Sequence, residues 1–180
     1  MGARSIVVDK AREAVPISGT KVREDLLASW QYLSDPVKSG LALRIVIVGA
    51  ESTGTTTLAR DLAEALHVPW VPEVGRYYTE SIMTIDYEWF DDDFYRIGRL
   101  QQAYENEIAA RSVGVIVCDT NAVATELWQR RYIGKTTKQM KAIARHDKAD
   151  LYIITGDEIP FVQDGIRDGE HIRHRMHQWF

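Results

Sequence analysis

Long apolar runs are missing from this chain. No uncharged hydrophobic stretch approaches the ~18 residues of a membrane-spanning helix, and the N-terminus has no apolar signal region. The single cysteine, Cys118, excludes a disulfide framework, and its place in an apolar run marks it as a buried, inert thiol. Positive charge is not in excess either: the 180 residues carry a net charge of −4, which gives no general affinity for nucleic acid. There is no internal repeat and no low-complexity tract. What remains is a globular composition, 45% hydrophobic and 27% charged, long enough for one domain with a full core or one domain plus a fragment. A cytoplasmic protein with no membrane partner and no nucleic-acid partner is the expectation.

The stretch Leu43 to Leu66, LRIVIVGAESTGTTTLARDLAEAL, organises the chain. Ile45 to Val48 reads as a buried strand. A loop bounded by Gly49 and Gly54 follows, then a helix with Leu58, Ala59, Leu62, Ala63 and Leu66 at helical spacing. Strand, glycine loop and helix in this order are the context of a phosphate-binding P-loop. The glycines let successive N–H groups point into one concavity, and the helix N-terminus adds partial positive charge. Thr56 takes the position of the hydroxyl that holds Mg²⁺. One residue departs from the pattern: Thr55 stands where a lysine normally reaches the β- and γ-phosphates. The loop therefore binds nucleotide and catalyses, or only binds it.

Upstream, residues 1–42 have a different character. SIVVD (Ser5 to Asp9) reads as a short strand, and Val22, Leu26, Leu27, Trp30 and Leu33 predict one helix from Ser18 to Asp35. Ser18 and Thr20 are helix caps on one reading; on another, with Arg23, they form a small phosphate site. Downstream, Val68 to Val71 suggests a second strand with Glu73 at its C-terminal end, where ligands gather in open α/β sheets. A carboxylate there can accept a substrate hydroxyl proton, and Arg76 can bind an anion; the alternative is a surface ion pair of little worth. Phe94, Ile97, Leu100, Gln101, Tyr104 and Ile108 trace a helical face, and Asp91 to Asp93 at its start suit the positive end of that helix better than a metal cluster.

Val113 to Cys118 is a near-continuous apolar run ending in Asp119, the Walker B arrangement, in which the carboxylate holds Mg²⁺. Arg130, Arg131, Lys135, Lys138 and Lys141 form a basic region, either a solvated face or the source of the charge missing at position 55. Leu151 to Thr155 reads as a fourth strand. Arg167, on a loop between Gly165 and Gly169, suits a lid that closes on a phosphate site. His171, His174 and His177 drift around a helix, which argues against a zinc site.

Two resemblances follow from these residues. ISGTKVR resembles the S-x-T-x-x-R motif near the C-terminal end of nucleotidyltransferase domains. The H-x-G-H motif those domains also need is absent, since the five histidines lie at 67, 146, 171, 174 and 177. GAESTGTTTLARDLA, WVPEVGRYY, VIVCDTN and IPFVQDGIRDG together resemble the kinase domain of the NadR family, bifunctional proteins with an N-terminal nicotinamide-nucleotide adenylyltransferase and a C-terminal ribosylnicotinamide kinase. The resemblance implies an α/β, P-loop kinase-like parallel sheet with flanking helices, lacking its last strand and helix. Residues 1–42 would be the end of the first domain plus a linker, and residues 43–180 the kinase domain. It implies ATP and Mg²⁺ as cofactors and a small-molecule nucleoside as partner. Gly49, Ser52, Thr53, Gly54, Thr55, Thr56 and Thr57 would cradle the phosphates. Thr56 and Asp119 would hold Mg²⁺, Glu73 would face the ribose as a candidate base, and Arg167 and Arg173 would be lid arginines. If the family's strand order holds, Leu151 to Thr155 is an exposed apolar edge.

Overall fold

The computed structural model describes residues 3–82 and 87–180. Four strands, β1 (Leu43–Val48), β2 (Trp70–Val71), β3 (Val115–Asp119) and β4 (Leu151–Ile154), form one parallel sheet in the order β2-β3-β1-β4. Nine helices are assigned among the described residues: α1 (Gly19–Glu24), α2 (Leu26–Ser29), α3 (Asp35–Leu41), α4 (Thr55–Leu66), α5 (Val74–Ile82), α6 (Asp91–Arg111), α7 (Ala122–Ile133), α8 (Lys138–Arg145) and α9 (Arg173–His177). None is long and apolar enough to cross a membrane.

Alternation along β1 and β3 sorts the core into two layers. Ile47 and Val117 pack against Ala59 and Ala63 of α4 on one face. Val46, Val48, Ile116 and Cys118 meet Ala109 of α6 and Ala124 of α7 on the other. Coverage on both faces is what makes these strands near-continuous apolar runs. The small alanines let α4 lie close to the sheet, so its N-terminus is held at the end of β1. Register places Ile47 beside Asp119 on β3 and Ile153 on β4, so the strand ends are level and their loops share one rim.

The long helix buries Phe94, Ile97, Gly98, Gln101, Glu105 and Ala109, a stripe that follows the 3.6-residue period. Leu100 and Tyr104, expected on that face, are exposed. Gly98 and Glu105 belong to the stripe because α8 presses Met140 onto Gly98, while Arg44 lies 3.9 Å from Glu105. Asp93 is a hub: it accepts hydrogen bonds from Tyr78 Oη, Tyr87 Oη and Phe90 N, each within 2.9 Å.

The N-terminal segment differs from the sequence expectation in two ways. SIVVD forms no strand, and Ile6, Val7 and Val8 are exposed. The single helix from Ser18 is broken, because Asp25 leaves helical backbone and caps a new helix by accepting from Ala28 N at 2.9 Å. Ser18 acts as a cap, its Oγ accepting from Lys21 N. Trp30 of this segment is buried against the sheet layer and its Nε1 donates to Ser112 O at 2.6 Å. The second strand is shorter than expected, and β3 starts only at Val115, after Gly114 at φ +104°. At the other side of the sheet β4 is an edge, with Leu151, Tyr152 and Ile154 exposed, as the family resemblance implies.

Candidate functional site

The loop between β1 and α4 is shaped by two glycines for different reasons. Gly54 caps α4 in the left-handed region, φ +82°, where a side chain is strained. Gly49 lies so close to its neighbours that a Cβ would fall 2.1 Å from Thr155 Oγ1 and 2.6 Å from Thr53 Oγ1. Thr53 explains that closeness: its hydroxyl donates to Ala50 O at 2.7 Å and receives Thr155 Oγ1 at 2.6 Å. Of the expected phosphate residues, Gly49, Ser52, Thr55, Thr56 and Thr57 line the cavity described below, whereas the Thr53 side chain braces the loop from behind. Ser52 has φ +58° and its Oγ accepts from Val162 N at 2.8 Å, a contact with the loop after β4.

Asp119 ends β3 beneath the first turn of α4 and is fully buried. Burial pushes its carboxyl up, against hydrogen bonding from the Thr56 and Thr55 hydroxyls, which holds it down. Its Oδ1 is buried with no hydrogen-bond partner, an orphaned acceptor that calls for a ligand. A carboxylate oxygen beside a threonine hydroxyl, open to a phosphate loop, fits a hard divalent cation such as Mg²⁺, which takes one or two protein ligands and completes its shell with phosphate and water. Among the described residues no cluster of three or more His, Cys, Asp or Glu is arranged for a metal. His174 pairs instead with Asp157 at 3.0 Å.

A cavity of about 690 Å³ opens from this loop. Glu73, just past the end of β2, lines it together with Asp119. Burial, reinforced by the charge of Asp119, raises the Glu73 carboxyl to a pKa of about 7, with Arg76 opposing. The chain beside it is fixed from α6: Val74 N donates to Gln101 Oε1 at 2.9 Å, and Gln101 is fully buried. Arg76 reaches Asp164 at 2.7 Å and Glu80 at 2.7 Å. Arg167 also lines the cavity, its Nη1 donating to Val162 O. Among the described residues Arg76 and Arg167 are the cationic side chains on the cavity wall. Lys135, a candidate to replace the P-loop lysine, is exposed and pairs with Asp91 at 3.4 Å, away from the wall. Arg173, expected as a lid arginine, is buried outside the lining. It donates to Ser52 O at 2.9 Å and Ile159 O at 2.7 Å, so it braces two loops rather than offering a free charge.

Part of the cavity wall is aromatic and is not evident from the sequence. Tyr87, Trp89, Phe94, Trp128 and Tyr132 line it, with ring centroids 5.1 Å apart for Trp89–Phe94, 5.4 Å for Trp89–Tyr132 and 6.3 Å for Trp128–Tyr132. The available signals were the aromatic density between Tyr87 and Phe94 and the i, i+4 spacing of Trp128 and Tyr132, which puts both rings on one side of α7.

A phosphate loop after the first strand, a buried aspartate at the end of the neighbouring strand and a parallel sheet define a P-loop nucleotide-binding domain. The chain belongs to the AAA domain family, whose model matches residues 44–180. It is, more particularly, homologous to NadR. The trifunctional NAD biosynthesis/regulator protein NadR of Salmonella typhimurium and that of Escherichia coli K12 are each 29% identical over 175 residues, 93% of this chain. The chain spans 41% of the length of these relatives. A crystal structure of NadR protein in complex with NR matches 93% of the chain and 49% of its own length, with 25% identity and a TM-score of 0.74. A second, in complex with NAD and AMP-PNP, shares the fold at a TM-score of 0.69 and 23% identity.

Proposed function

We propose that the chain is an ATP-dependent nucleoside kinase whose acceptor is ribosylnicotinamide and whose product is nicotinamide mononucleotide. The observation that carries this reading is one cavity whose lining joins the phosphate loop, Asp119, Glu73 and a set of aromatic rings. A γ-phosphate on the loop and a flat base on the aromatic wall would leave the ribose between them, beside Glu73. The nicotinamide ring of ribosylnicotinamide is cationic, and aromatic faces favour a cation by ~0.5–2 kcal/mol. The crystal structure of NadR protein in complex with NR supports the same acceptor.

In this reading the backbone of residues 49–56 and the start of α4 hold the phosphates, and Arg76 and Arg167 supply positive charge that Thr55 does not. Mg²⁺, when bound, neutralises phosphate charge, and Thr56 and Asp119 would hold it. Glu73 accepts the proton of the ribose 5′-hydroxyl as its oxygen attacks the γ-phosphorus. The bond to the bridging oxygen breaks and ADP leaves. A carboxyl with a pKa near 7 is suited to that proton transfer. The N-terminal 42 residues are read as the C-terminal remnant of a nucleotidyltransferase domain, without its histidine motif, plus a linker, so no adenylyl transfer is expected; a cytoplasmic location belongs to the same reading.

The test is phosphorylation of a nucleoside panel by the purified chain with Mg-ATP. A 5′-monophosphate formed from ribosylnicotinamide in preference to adenosine, cytidine and uridine is expected. One observation favours a second reading, a nucleotide-binding protein without catalysis: the lysine normally needed in the loop is Thr55. Thermal stabilisation by Mg-ATP with no product from any nucleoside would decide for that alternative.

A further inference from the structure

Arg131 is not among the lining residues, yet it touches the phosphate loop, the loop after β4 and two of the aromatic rings that line the cavity. Its side chain is only 5% exposed. Nη1 lies 2.5 Å from Glu51 Oε1, in the middle of the phosphate loop, and Nη2 is paired with Asp168 on the loop after β4. Glu51 completes the triangle, its Oε2 accepting from Gly169 N at 2.7 Å. On its other side the guanidinium stacks on Tyr132, 4.6 Å from the ring centroid, and on Trp128, 5.2 Å away, two of the rings that line the cavity. Tyr132 Oη also donates to Asp168 at 2.9 Å. Residues 164 and 166–168 of the same loop roof the cavity.

A carboxylate in the phosphate loop is electrostatically misplaced, because it faces an incoming polyphosphate. Pairing of its Oε1 with a buried arginine, and of its Oε2 with Gly169 N, neutralises it and fixes its direction. We propose that Arg131 is a positioning residue that couples the α7 rings of the cavity to the phosphate loop. A base on Trp128 and Tyr132 fixes the stacked guanidinium, which fixes Glu51 and through it the phosphate loop and the roof. Nucleoside and nucleotide then each favour the same arrangement, and each binds more tightly when the other is present. This rests on the nucleoside reading of the aromatic wall. Lysine cannot replace Arg131 here, since a point charge cannot span two carboxylates and stack on two rings.

The coupling is measured by calorimetry on the full chain, titrating Mg-AMP-PNP with and without saturating ribosylnicotinamide. The wild type is expected to bind AMP-PNP roughly 5- to 150-fold more tightly with the nucleoside present, the usual range of such coupling. In Arg131→Lys the ratio should fall to near one while far-UV circular dichroism stays native. Gly169→Ala attacks the contact from the other side, since a Cβ there would fall 2.5 Å from Glu51 Oε2 and 2.9 Å from Arg131 Nη2, and should also abolish the ratio. A purely structural Arg131 would lower thermal stability and leave the ratio intact, which overturns the proposal. So does a wild-type ratio of one with both ligands bound. Failure of ribosylnicotinamide to bind at all is a different result: it removes the acceptor reading, and this inference with it.

Discussion

Glu73 and Asp119 stand at the ends of neighbouring strands and share one cavity wall, and the Asp119 charge adds to burial in holding Glu73 at a pKa of about 7. The kinase rate should therefore rise with pH through about 7 as Glu73 becomes a base. Glu73→Gln should flatten that profile and cost roughly 10²–10⁴-fold in kcat, the usual worth of a positioned base. Asp119→Asn should move any residual profile to lower pH, because a like charge is gone. The same shift acts on folding: Glu73 titrates ordinarily at 4.5 and at about 7 in the fold, so its stabilising effect is complete below 4.5 and lost as pH rises through 7. Thermal melts of wild type and Glu73→Gln across that window should diverge in that direction.

Asp119→Asn should weaken Mg-dependent binding of AMP-PNP by about 10- to 100-fold, the value of a charged contact of roughly 1.5–3 kcal/mol. Asp92→Asn, an exposed carboxylate in the first turn of α6, should change it less than about twofold on the same scale. Calorimetry with and without Mg²⁺ checks both. Equal effects would remove Asp119 as the cation ligand.

Thr55→Lys should alter ATP affinity by less than about tenfold, or 1.4 kcal/mol, because Arg76 and Arg167 already line the cavity. A larger gain in an otherwise inactive protein would mean a degenerate loop.

The two arginines of the C-terminal region should separate cleanly. Arg167→Ala is expected to abolish turnover with little change in melting temperature, since its side chain is at the cavity and bonded only within its own loop. Arg173→Ala should lower the melting temperature first, because it strands the carbonyls of Ser52 and Ile159. Initial rates and differential scanning fluorimetry on both variants decide it.

His67 closes α4 in the left-handed region at φ +54°, with Val68 N bonding back to Ala63 O. His67→Gly should stabilise the protein by roughly 0.5–1 kcal/mol, the relief of left-handed strain less the extra freedom of glycine when unfolded. Urea denaturation measures it.

The sequence by itself determined the elements whose signals are local. The apolar runs at Ile45 and Val115, the glycines at 49 and 54 and the aspartate after Cys118 require only neighbours in the chain to form a strand, a phosphate loop and a buried carboxylate. Only the tertiary structure decided what depends on distant contacts. Leu100 and Tyr104 fit a helical stripe as well as Gly98 and Glu105 do, and the choice rests on where Met140 and Arg44 lie. Arg167 and Arg173 are alike as sequence, six residues apart; one reaches the cavity and the other two backbone carbonyls, and between them Gly169 N is tied to Glu51 of the phosphate loop. The aromatic wall joins side chains from before and within α6 and from α7, so no single window of sequence contains it. Periodicity reports which face of an element is buried; it carries no information about which other element buries it.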